Sequence, residues 1–244
     1  MSDPDDARMP FLAHLDELRK RIVVSLIALA VGFAATFSFS ERIIDWLARP
    51  LPVKLAFLEP TEPFWVNMKV ALVAGLFLVL PVILYEVWAF IAPGLLHDER
   101  KFALPFIVLG TICFALGAAF ALLVIVPFAV KFLVSYKTAN LVPTISVNRY
   151  VDFVIKFTLA FGVVFELPLA ITLGSRMGLV TPEFLARNRK YAILINFIVA
   201  AILTPTPDAF NQILMAGPLC LLYEAGIIAA RMFGRRRPAA AAAA

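Results

Sequence analysis

Long uncharged apolar runs alternate with short charged segments along nearly the whole chain. A helix rises about 1.5 Å per residue, so about 20 apolar residues cross a hydrocarbon core of about 30 Å. By that measure residues 22–40, 70–91, 104–127, 151–174, 191–204 and 209–230 are six candidate spans. The third lies in a longer uncharged run and is expected to tilt or leave the bilayer near Pro127. The fifth is short, since residues 191–203 make only about 20 Å of helix. Thr204-Pro205-Thr206-Pro207-Asp208 then forces a turn, because each proline disfavours helix at the residue before it. Asp208 is placed to cap the returning helix. So short a hairpin thins the bilayer locally or leaves a wet recess beside it, or is simply a short pair of helices.

Composition agrees with the pattern. Of 244 residues, 62% are hydrophobic and 16% charged, against about 25% charged in a soluble domain. No stretch between spans reaches the roughly 50 residues of a separate soluble domain. Residues 1–233 therefore read as one integral membrane domain, followed at 234–244 by a basic, then alanine-rich tail. The polar start of the chain and the lack of a small-residue cleavage site after the first run predict a first span rather than a cleaved signal.

Six spans put both termini on one side. Arg8, Arg19, Lys20, Arg21, Arg100, Lys101, Arg176, Arg187, Arg189, Lys190, Arg231, Arg235, Arg236 and Arg237 fall on that side, fourteen of the 22 basic residues. The bias predicts cytoplasmic termini, and it explains the net charge of +5 without a nucleic-acid partner. Two loops on the other side, 41–68 and 130–150, are rich in apolar and aromatic residues and are expected to cap the membrane surface. Cys113 and Cys220, both in apolar runs, read as packing residues rather than a disulfide. His14 and His97 have no companions at ligand spacing, so no metal or cofactor is expected. The chain carries no nucleophile elbow or phosphate loop, which speaks against an enzyme.

Three acids stand out. Glu166 lies in the uncharged run 157–175, where an ionised acid costs several kcal/mol unless it faces protein, water or a ligand. Gly162 and Ala170, one turn away on either side, let another helix come close. Pro168 weakens the local hydrogen-bond ladder. Glu166 is read either as functional or as a neutral acid bonded to a neighbouring helix. Glu17 and Glu99 lie in basic segments on the cytoplasmic side. Each is read as a local ion pair or, together, as a receptor for a dibasic ligand, because carboxylates take guanidinium groups in a two-point fork. Glu86, Glu224 and Gln212 read as interhelical hydrogen-bond formers.

Five pieces in order carry a resemblance. They are His14-Leu15-x-Glu17-Leu18-Arg19-Lys20-Arg21, Val87-Trp88-x-Phe90-x-x-Pro93-Gly94-Leu95, Glu99-Arg100-Lys101, Phe161-Gly162-x-x-Phe165-Glu166-x-Pro168, and Thr204-Pro205 through Asp208 to Gln212. The chain resembles the TatC family, the signal-peptide receptor of the twin-arginine protein translocase. The resemblance implies an all-α cup of six transmembrane helices, the last two short, with both termini cytoplasmic in a cell inner membrane. It implies that Glu17, Glu99, Phe90 and Arg19 meet the paired arginines of signal peptides on folded precursors, and that Glu166 faces the concave side. It further implies that Thr204, Asp208 and Gln212 lie where single-span TatA and TatB subunits dock, that Pro50 acts in the outer loop, and that the receptor self-associates. Transport would be driven by the proton-motive force. Three features depart from the family pattern: Asp16 replaces a common apolar residue, Glu86 a frequent Gln, and the proline turn is one residue longer. Two rival readings are a proton-coupled carrier that uses Glu166 and a purely structural scaffold.

Overall fold

The computed structural model describes residues 4–51, 53–91, 103–135, 144–204 and 208–233. Helix dominates them. In chain order come α1 (Pro4–Phe37), α2 (Ser40–Ala48), α3 (Glu62–Ile91), α4 (Ala103–Phe120), a π-helical turn (Ala121–Ile125), α5 (Val126–Ser135), α6 (Val147–Phe165), α7 (Leu167–Arg176), α8 (Pro182–Arg187), α9 (Arg189–Leu203) and α10 (Ala209–Phe233). Two dipeptide strands, β1 (Leu55–Ala56) and β2 (Ile145–Ser146), pair in parallel. The sequence gives no sign of that pairing, because two residues are too few to show an alternating pattern.

Among the described residues, five helical stretches are long and apolar enough to cross a membrane: His14–Phe37, Glu62–Ile91, Leu104–Ser135, Val147–Arg176 and Ala209–Phe233. At 15 residues, α9 spans only about 22 Å, in keeping with the expected short fifth helix. The outward surface of these helices is apolar. Leu26, Val31, Leu78, Leu104, Leu123, Ile202 and Leu221 are each more than half exposed. Soluble monomers rarely present so much contiguous apolar surface. The chain is an all-α polytopic membrane protein. Pro127 does not end its helix. The Val126 N–H reaches back to Ala121 O in the π-helical turn, a register shift that accommodates the N–H missing at Pro127, and helix continues to Ser135.

The chain divides into two compact units. The first comprises residues 1–112 and 143–152 and is built on α1 packed against α3. Glycine sets their separation: a Cβ on Gly32 would lie 2.7 Å from Gly75 O, and one on Gly75 would lie 2.6 Å from Phe33 N. Close backbone approach through small residues is how helices associate where no hydrophobic force separates protein from solvent. Thr36 Oγ1 donates to Ala71 O at 2.7 Å, and Ser40 Oγ lies 2.8 Å from Asn67 Oδ1. At the same end the two loops fold onto each other instead of hanging free. Ser146 Oγ donates to both oxygens of the buried Glu62, at 3.2 and 3.3 Å, and the Leu58 N–H donates to Glu62 Oε2 at 3.2 Å. Tyr150 OH donates to Leu47 O at 2.6 Å, and Lys69 Nζ donates to Asp152 and Asn148 at 2.6 and 2.8 Å.

The second unit comprises residues 113–142 and 153–244. Here α10 packs on α7, α8 and α9. Gly226 seats α10 on α7, since a Cβ there would meet Ile171 Cδ1 at 2.7 Å. An aromatic core joins α4 to α6, with Phe120 against Phe161 and Phe165 at 5.6 and 5.7 Å between ring centroids. Phe157 and Phe161 are wholly buried.

Candidate functional site

Near the start of α1, Glu17 and Arg21 stand one helical turn apart. Arg21 Nη2 donates to Glu17 Oε1 at 3.3 Å and Nη1 donates to Glu86 Oε2, on α3, at 3.1 Å. Glu86 is buried, whereas Glu17 and Arg21 are partly exposed. One turn further along α3, Phe90 stacks on His14 with 4.4 Å between ring centroids and 21° between planes. Trp88, also buried, leans on Phe106 at 4.8 Å. Residues 14–21 of α1 and 86–90 of α3 thus make one polar and aromatic patch. It sets two carboxylates against one guanidinium, leaving an acid only partly satisfied and within reach of water. Arg19 is exposed beside it. Glu99, expected to act with Glu17, lies outside the described residues. The bland reading of Glu17 as an ion pair with a flanking arginine is what the geometry shows, and it shows equally that this carboxylate accepts a guanidinium. Glu86 makes the interhelical bond expected of it; what the sequence does not convey is that its partner is the same arginine that holds Glu17.

Glu166 sits at a break in the helix. It belongs to neither α6 nor α7; its own N–H reaches only to Val163 O, at 3.0 Å, while its carbonyl accepts from Ala170 N at 2.8 Å. Pro168, in the first turn of α7, causes the break because it has no N–H to continue the ladder. Gly162 does let another helix in: the Phe114 ring of α4 lies where a Cβ would be, with atoms 2.6–2.8 Å away. Gly117 is equally tight, a Cβ there lying 2.3 Å from Phe161 O. Glu166 Oε1 is buried and has no hydrogen-bond partner among the described residues.

At the α9–α10 turn, Thr204 is buried, donating to Ala200 O at 2.6 Å and lying 3.7 Å from the Met215 sulfur. Asp208 caps α10 as expected: Asn211 N donates to Asp208 Oδ1 at 2.7 Å, and Asn211 Nδ2 donates to Oδ2 at 2.9 Å. Gln212 Nε2 reaches across to Phe197 O at 3.3 Å, the interhelical bond read for it. At the other end of the pair, Arg189 donates to both oxygens of Glu224 at 2.6 and 2.9 Å. Pro50 is exposed and follows α2. Cys113 and Cys220 are free thiols, as read, and Asn196 Nδ2 lies 3.6 Å from Cys220 Sγ. Asp152, a conceivable relay partner for Glu166, is held by Lys69.

Residues 13–218 match the family model for the Sec-independent protein translocase protein (TatC). The TatC protein of Desulforapulum autotrophicum is 43% identical over 239 residues, covering 96% of this chain and 88% of that one. That of Aquifex aeolicus is 39% identical over 236 residues, covering 94% and 98%. A crystal structure of the twin arginine translocase receptor TatC superposes with a TM-score of 0.81 at 39% identity, covering 91% of this chain and all of that one. A second crystal structure of that receptor, in the detergent DDM, gives 0.80 at 40% identity, covering 88% and 98%. With the helix order, the polar patch on α1 and α3 and the broken helix at Glu166 in place, the chain belongs to the TatC family and is a membrane-embedded transport component of the twin-arginine protein translocase.

Proposed function

We propose that the chain is the receptor subunit that binds twin-arginine signal peptides of folded precursor proteins, and that it does so without covalent chemistry. The observation that carries this reading is Glu17, a partly exposed carboxylate already gripping a guanidinium at 3.3 Å. A peptide arginine asks for the same chemistry. Glu99 adds the second acid for a second arginine, Arg19 sets the approach, and Phe90 offers its ring to the neighbouring apolar residue of the peptide. The basic residues flanking these acids place the patch, and both termini, on the cytoplasmic face of the inner membrane. All six apolar stretches cross, α9 as a short span that thins the bilayer around the hairpin. TatA- and TatB-type subunits dock there, near Thr204, Asp208 and Gln212; the exposed Leu194, Ile195, Ile198 and Ile202 of α9 supply an apolar face for a single-span helix. Glu166 keeps a polar point inside the membrane concavity for a partner helix or an inserted signal peptide. Pro50 acts in the outer loop, copies of the receptor self-associate, and the proton-motive force drives export.

A photocrosslinking peptide with paired arginines tests the assignment in membranes. Adducts are expected at α1 near Glu17, and Glu17→Ala together with Glu99→Ala abolishes them. Undiminished adducts in that double variant refute it. Uptake of a small solute by proteoliposomes holding this chain alone would favour the carrier instead; the Asp152–Lys69 ion pair argues against that outcome, because it occupies the acid that a relay would need.

A further inference from the structure

Arg21 lies between two carboxylates of unequal accessibility. The Glu17 side chain is 32% exposed and that of Glu86 is 8% exposed. A guanidinium presents five N–H donors in a fork that fits a carboxylate two at a time. Arg21 instead gives one N–H to each acid, and its Nε, though buried, has no hydrogen-bond partner among the described residues. Neither acid is held in a two-point grip. The Glu17 contact joins residues one turn apart on a wet face, the weakest kind of ion pair. The Glu86 contact crosses from α1 to α3 out of water, where stranding the acid is costly. The exposed half of the arrangement is therefore the half that yields.

We infer that Arg21 is a resident stand-in for the ligand's guanidinium at Glu17, and that Glu86 is the acid that receives Arg21 when the ligand arrives. This rests on the reading of Glu17 as ligand-binding. A peptide arginine entering from the exposed side takes Glu17 in a two-point fork. Arg21 turns its remaining N–H groups onto Glu86, where a second contact replaces the one given up. Two carboxylates that shared one guanidinium become two matched pairs, so no charge is left stranded. A lysine ammonium has no fork and displaces Arg21 poorly. Arg21 and Glu86 thus act as positioning residues that set the preference for arginine.

Equilibrium binding to the full chain in detergent tests this, using a labelled peptide with two consecutive arginines before an apolar segment and its two-lysine counterpart. Arg21→Gln is expected to bind the arginine peptide about threefold to fivefold tighter and to lose part of its preference over the lysine peptide. Glu86→Gln is expected to bind it weaker by a similar factor, and to have no effect once Arg21 is also Gln. Weaker binding by Arg21→Gln would mean that Arg21 only props Glu17 in place, and would overturn the inference. So would a Glu86→Gln effect that persists in the Arg21→Gln background. If Arg21→Gln does not fold, Arg21→Met decides in its place: it keeps the length of the side chain without the charge or the donors and must bind tighter, and equal or weaker binding overturns the idea. Glu17→Gln separates the two levels. Unchanged binding there sinks the receptor reading itself; binding lost there but weakened by Arg21→Gln sinks only the stand-in.

Discussion

Glu166 shows how a single acid can cost stability and still be kept. Its Oε1 is buried with no hydrogen-bond partner among the described residues, and such a group costs about 1–3 kcal/mol. Glu166→Leu should therefore leave the isolated chain as stable in detergent as the parent, or more so, while export of a twin-arginine reporter falls. Thermal unfolding and export measured on one variant check both halves; a loss of stability with export intact would support the scaffold reading. The sequence marks Glu166 plainly, because a lone carboxylate in an apolar run has to be explained. Asp208 was equally legible, since two prolines followed by an acid before an apolar run is the grammar of a helix start. Asp208→Ala removes the cap of α10 and should cost about 1 kcal/mol, read as a lower thermal midpoint that Asp208→Asn largely restores. Arg21 was the hidden residue. Its ties to Glu17 and Glu86 span one turn and 65 positions, and only the first of those separations can be read from a helix.

Helix against helix, glycine decides the geometry. Gly32 and Gly75 let α1 and α3 touch backbone to backbone, and a side chain at either would lie within 3.0 Å of the partner's main chain, which cannot move aside. Gly32→Leu should destabilise the chain by about 1–3 kcal/mol through overpacking. Gly217→Ala is the control: nothing lies within 4 Å of a Cβ there, and alanine favours helix by about 1 kcal/mol. Thermal midpoints of the two variants in the same detergent should move in opposite directions. The positions of the helices were legible from the apolar runs, but not their lengths: α1 and α3 run to 34 and 30 residues because each continues into polar sequence beyond the runs 22–40 and 70–91. The π-helical turn before Pro127 was not legible either, because its cause is a hydrogen-bond register shift that leaves no mark on hydrophobic periodicity. Nor was the glycine contact, since pairing Gly32 with Gly75 requires knowing which two helices are neighbours.

Across the whole molecule, the sequence conveys the membrane-protein class and the helix order because both follow from where lipid tolerates charge. The long-range ties that fix the loops are invisible in it. Glu62, Ser146 and the Leu58 N–H meet across 84 positions of chain, and neither Glu62 nor Ser146 stands out in its own segment. Glu62→Ala should free the loops from each other, detected as faster protease cleavage between residues 49 and 61 in vesicles that expose that face, with peptide binding on the opposite face unchanged. The central claim, that Glu17 and Glu99 recognise paired arginines, is tested most directly by equilibrium binding of twin-arginine and twin-lysine peptides to the purified chain. Charge-assisted forked bonds predict a preference of about tenfold or more for arginine, lost in Glu17→Ala with Glu99→Ala. Equal affinity for the two peptides, or a preference that survives the double substitution, would contradict it.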